Sequence, residues 1–233
     1  MTKPMNPHRK AAIIAGVLFL IALILNPIAM AIYQPILNAP DFLVNAFLDR
    51  ILMTIGLLLD FLCIPAIILI PIVLYHVFKQ HFESMALGYV GFRAVEGILF
   101  IFSVIKFFTL LNLSKDYLND GAPNIASFKL VGNSIQAEIQ CIFLIYVIFF
   151  AIGALFFYTM LYQSKLVPRL LSVWGFFAAV VILAGAVLGL FDVVDSTKIM
   201  MFCGPPIGIN ELVVALWLIV KGFDTTALQT VSA

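Results

Sequence analysis

Residues 167–190 read VPRLLSVWGFFAAVVILAGAVLGL, and from Leu170 to Leu190 no side chain in the run is ionisable. A helix needs roughly 20 residues to cross the hydrocarbon of a bilayer, so this stretch has the length and polarity of one transmembrane crossing. Five further apolar stretches flank it, at 11–32, 51–78, 86–112, 135–161 and 205–221, each bounded by charges, prolines or polar clusters. The expected fold is therefore all-α: a single polytopic domain of about six membrane helices covering residues 1–233. Composition agrees. Of the 233 residues, 64% are hydrophobic and 11% charged, against about 25% charged in a soluble domain.

Lys165-x-x-Pro168-Arg169 precedes the quoted stretch as a helix start, with proline in the first turn and basic residues at headgroup level. Gly204-Pro205-Pro206 opens the last stretch in the same way, which puts Glu211 on its second turn, near the positive end of the helix. Arg9-Lys10 ahead of an apolar run and the Ala29-Met30-Ala31 triplet imitate a secretory signal with its cleavage site, but the segment is read as the first retained helix. The segment 113–134, with the turn formers Asn119-Asp120-Gly121 and Pro123-Asn124, is expected as a surface excursion. Gly185-x-x-x-Gly189 lets another backbone approach closely, either within the chain or across a dimer seam.

Positive charge is retained on the cytoplasmic side during insertion. With the N-terminus inside, Lys3, Arg9, Lys10, Lys79, Lys165, Arg169 and Lys221 face the cytoplasm, while Arg50, Lys115, Lys129 and Lys198 face outward. That majority favours both termini in the cytoplasm and a multi-pass protein of the cell membrane. A net charge of +1 with no basic run argues against a nucleic-acid partner. The lipid bilayer is the expected partner, with a small molecule or a proton as candidate ligand.

Ionisable residues at membrane depth are the candidates for function, since each costs roughly 2.5–3.5 kcal/mol unless paired or hydrated. Arg93 and Glu96, at i and i+3, share one side of the third stretch about 10 and 15 Å inside the cytoplasmic boundary. Glu211 lies about 15 Å deep by the same count, level with Glu96. Arg93 is thus expected to contact Glu96 or Glu211, with the third and sixth helices as neighbours. One arginine between two carboxylates leaves an excess negative charge that a ligand or a proton can neutralise. Asp60 and Lys106, about 25–30 Å from the cytoplasmic side, are a candidate outer pair. Lys106 and Glu138 alternatively snorkel to water.

Other chemistries find little support. His76, His81 and Glu83 imitate a metal cluster, but i, i+5 spacing turns the two imidazoles about 140° apart on a helix. No nucleophile elbow, phosphate loop or dinucleotide fingerprint occurs, so no catalytic, metal or cofactor set is assigned. Ser103 and Ser172 have no histidine at matching depth. Cys63, Cys141 and Cys203 form no C-x-x-C and read as apolar filler, with an outer Cys141–Cys203 disulfide as the alternative.

Three segments carry a family resemblance: Ala86-Leu-Gly-Tyr-Val-Gly-Phe-Arg93-Ala-Val-Glu96, Leu166-Val-Pro168-Arg169-Leu-Leu-Ser-Val-Trp174-Gly175, and Asn210-Glu211-Leu followed by Trp217-Leu-Ile-Val-Lys221-Gly222-Phe223. With the basic start Arg9-Lys-Ala-Ala-Ile-Ile-Ala-Gly16, they resemble a bacterial membrane family, domain of unknown function 4386. The resemblance implies a multi-helix protein of a bacterial cytoplasmic membrane and no particular activity. The residues themselves favour binding or translocation of a small solute or proton. A structural or regulatory role in which the buried charges only fix packing is the alternative. An intramembrane enzyme using Glu96 or Glu211 as acid or base comes third.

Overall fold

The computed structural model of the chain describes residues 6–120, 125–195 and 198–224. Among these the protein is an all-α bundle: α1 (Pro7–Leu37), α2 (Phe42–Leu48), α3 (Arg50–Asp120), α4 (Ile125–Ser164), α5 (Arg169–Leu190) and α6 (Gly204–Val220). Five helical stretches, the last of them Met201–Val220, are long and apolar enough to cross a membrane. Large apolar side chains on their outer faces, such as Leu170 and Phe177, remain exposed and suit contact with lipid tails.

The longest segment is two helices joined at a bend. Phe82, at φ −138° and ψ 40°, leaves the helical region and breaks α3 into arms of residues 50–81 and 83–120. In one straight helix Ile68 and Gly97 would stand about 43 Å apart. Instead, a Cβ on Gly97 would meet Ile68 Cγ1 at 2.8 Å, so the arms lie side by side. Tyr75 Oη donates to Glu83 Oε1 across the bend at 3.3 Å.

The helices close into a ring in which α1 packs on α3, α3 on α4, α4 on α5, α5 on α6, and α6 back on α1. Gly16 is what lets α1 and α6 touch, since a Cβ there would fall 2.7 Å from the Ala215 carbonyl oxygen. The core gathers around Phe157 of α4, whose ring stacks on Tyr89 at 5.3 Å and meets Phe19 at 5.8 Å and Phe78 at 6.5 Å. One aromatic side chain thereby ties α1, both arms of α3, and α4.

Arg9 closes the ring at its basic end. Its guanidinium donates to the carbonyls of Leu218 (3.1 Å), Ile219 (2.6 Å) and Val220 (3.2 Å), the unsatisfied acceptors at the end of α6. Gly222, at φ +79°, turns the chain there, and a Cβ on it would sit 2.8 Å from Arg9 Nη1. Asp224 N–H then donates to the Leu166 carbonyl, which joins this end to the turn between α4 and α5.

Several expectations change. The excursion expected at 113–134 is mostly helix: α3 runs to Asp120 and α4 starts at Ile125, while Gly121, Pro123 and Asn124 lie outside the described residues. Tyr117 and Phe128 pack edge to face at 5.7 Å, which gives both helices an apolar reason to continue past the membrane-length runs. The short α2 fills the space beside them with buried Phe42 and Leu43. A π-helical turn, Ile199–Cys203, leads into α6, so Glu211 is well inside continuous helix and not near its positive end. Gly185 and Gly189 receive this turn within the chain, against Cys203 and Ile199. The three cysteines are free.

Candidate functional site

Arg93 and Glu96 sit on the second arm of α3, each 4% exposed. Arg93 Nη1 lies 2.9 Å from Glu96 Oε2 and donates a hydrogen bond to Oε1 at 3.3 Å. The shorter approach is off the N–H direction, so Oε2 makes an ionic contact without accepting a hydrogen bond. The guanidinium carbon is 5.3 Å from the centre of the Phe150 ring on α4. Gly153 leaves room for the stem of Arg93, since a Cβ there would be 3.3 Å from Cδ. Arg93 Nε is buried and has no hydrogen-bond partner among the described residues.

These side chains border a half-open cavity of about 460 Å³ between the helices of the ring. Glu211 of α6 lines the same cavity and has no hydrogen bond or salt bridge among the described residues. The pairing expectation is met within one helix, between Arg93 and Glu96. The expected adjacency of the third and sixth helices takes the form of a shared cavity: α6 packs chiefly on α1 and α5, and Glu211 borders the same cavity as Arg93. Counting residues gives depth along a helix but says nothing of which helix stands beside it. The remaining wall is apolar and aromatic, including Phe19, Phe100, Phe143 and Tyr146. Gly204, Pro205 and Gly208 form the α6 side, and a Cβ on Gly208 would meet nothing within 4 Å.

The outer pair expected between Asp60 and Lys106 does not form. Lys106 pairs with Glu138 of α4, both partly exposed, so the lysine satisfies its charge at the bundle surface. Asp60 is wholly buried, and its Oδ1 accepts from Asn26 Nδ2 of α1 at 2.9 Å. Asn26 in turn lines the large cavity, which puts Asp60 directly behind its wall. A second cavity of about 240 Å³, bordered by Tyr33, Gln34, Asn38 and Gln140, shares Phe100, Phe143 and Tyr146 with the first. These three rings border both cavities, and the smaller one lies toward the C-terminal end of α1.

Asn26 and Asn210 are the polar residues that attention to ionisable groups passes over. Asn210 Nδ2 donates to the Leu171 carbonyl at 3.0 Å and fastens α6 to α5 one residue before Glu211. An amide within an apolar stretch is the signal that marks both positions. No group of His, Cys, Asp and Glu among the described residues is arranged to hold a metal ion.

No curated protein and no solved structure matches the chain. The chain belongs to the family described as Domain of unknown function (DUF4386), whose profile matches residues 14–222 and so takes in Arg93, Glu96 and Glu211.

Proposed function

We propose that this protein crosses a bacterial cell membrane six times with both termini in the cytoplasm, and that it binds a small solute, or a proton in its place, at Arg93, Glu96 and Glu211 as the binding step of translocation. The observation that carries this reading is the Glu211 carboxylate, which makes no hydrogen bond or salt bridge among the described residues and borders a 460 Å³ cavity shared with the Arg93–Glu96 pair. A carboxylate left unpaired in an apolar surround is costly, and a site built to receive a ligand is one reason for a fold to retain it. A role confined to packing fits less well. A buried ion pair that specifies which helices touch must join two helices, whereas Arg93 and Glu96 lie three residues apart on one arm.

Gly208→Phe tests the reading, because the new side chain enters open cavity space and replaces a helix-weakening glycine. Native mass spectrometry of the protein in lipid nanodiscs should show a bound small molecule, or binding from a solute mixture, that the Gly208→Phe variant lacks. Equal occupancy of the wild type and a folded Gly208→Phe variant would overturn the proposal.

A further inference from the structure

We infer that the ligand of this cavity is an organic cation with an apolar, aromatic-compatible body; the inference rests on the binding reading above and adds the chemical class of the occupant. Charge balance comes first. Arg93 is neutralised by Glu96 at 2.9 Å, and the pair leaves one charge bordering the cavity, the carboxylate of Glu211. Asp60, behind the wall, accepts from the neutral amide of Asn26, which leaves its own negative charge in place, and the pair Lys106–Glu138 sits at the bundle surface. A cavity with an excess of negative charge in an apolar surround attracts a cation and opposes an anion.

The shape and chemistry of the wall select among cations. A small hydrated metal ion needs several oxygen ligands close together, and no such acidic group occurs among the described residues. The space, about 460 Å³, falls in the range of sites that hold organic molecules of several rings. Phe19, Phe100, Phe143 and Tyr146 line it, and aromatic walls attract a weakly hydrated organic cation and its apolar substituents alike. Phe150 is already turned to the Arg93 guanidinium, so the wall shows the same chemistry toward a resident cation.

The test uses two ions of one shape and opposite charge, tetraphenylphosphonium and tetraphenylborate, with the purified protein in uncharged detergent. The wild type should bind the phosphonium saturably and the borate much more weakly. Glu211→Gln should weaken phosphonium binding by about tenfold or more, Glu211→Asp should largely preserve it, and Glu138→Gln, which removes a carboxylate outside the cavity, should leave it unchanged. Thermal unfolding of each variant keeps a misfolded protein from being read as a loss of binding. Failure to bind the phosphonium, or binding indifferent to Glu211→Gln in a folded variant, overturns the cation assignment. Loss of borate binding in Gly208→Phe, with no dependence on Glu211, would reject the cation class while keeping the cavity as a binding site. Binding of either ion that survives Gly208→Phe would reject both readings together.

Discussion

Arg93 and Glu96 form an ion pair one helical turn apart, with Nη1 2.9 Å from Oε2, and both are withdrawn from solvent. Removing one partner leaves the other charge buried alone, which costs about 3–5 kcal/mol, whereas an apolar pair of similar volume is often neutral. Arg93→Ala should therefore lower unfolding stability by about that amount. Arg93→Met combined with Glu96→Leu should restore most of it, as read by chemical unfolding in micelles. If the pair serves the ligand, the stable double variant will still lose the binding described above.

Gly175 and Tyr158 give a sharper packing prediction. A Cβ on Gly175 would run into Cε1 of the fully buried Tyr158, a clash that only a shift of the ring or of α5 can relieve. Gly175→Ala should destabilise the bundle by about 1–3 kcal/mol through overpacking of α5 on α4. Gly208→Ala, facing open space on α6, should instead stabilise by about 0.5–1 kcal/mol, the ordinary helix benefit of alanine. Thermal unfolding of the two variants in one detergent separates the effects.

The apolar stretches and the spacing of Arg93 and Glu96 made the helices and the ion pair readable in the sequence, because both depend on neighbours within one helix. The bend at Phe82 was legible only as the charged interval around Lys79, His81 and Glu83, since no proline or glycine marks it. What failed depended on contacts remote in sequence. Lys106 turned to Glu138 because α3 and α4 pack together, and Tyr117 found Phe128 because both helices continue past their apolar runs. Residue counting put Glu211 level with Glu96, and both line one cavity, but rotation and neighbourhood come from the closed ring, which no local pattern encodes.

Arg9 and Gly222 act as a unit at the end of α6. Arg9→Met removes the donors to three terminal carbonyls and should cost about 1.5–3 kcal/mol, the range for hydrogen bonds from a charged group. Lys10→Met, an exposed neighbour, should change stability little. Gly222→Ala both strains a left-handed backbone, at about 1–2 kcal/mol, and displaces Arg9 Nη1. Since each change disturbs the same contact, the double variant should be less destabilised than the two losses combined, a coupling that a double-mutant cycle measures directly.

Sidedness is the remaining prediction, and the contacts at the basic end give it a specific form. Arg9 at the start of α1 reaches the last carbonyls of α6, and Asp224 N–H bonds Leu166 between α4 and α5. Those segments therefore share one end of the bundle, together with Arg9, Lys10, Lys165, Arg169 and Lys221. Lys79 precedes the bend at Phe82, and Phe78 beside it packs on Phe157 near that same end. The opposite end carries Lys115 and Lys129, the latter 3.8 Å from Asp41, and Gln136 bonded to the Leu37 carbonyl at the finish of α1. Retention of positive charge in the cytoplasm assigns the first end to the inside. In a background with exposed Cys141 changed to Ser, cysteines placed at Lys79 or Lys221 should react with a membrane-impermeant maleimide only after permeabilisation. Cysteines placed at Lys115 or Lys129 should react in intact cells. A reversed pattern would invert the orientation while keeping the bundle. Labelling of positions 79 and 221 from different sides would contradict the even number of crossings that separates them.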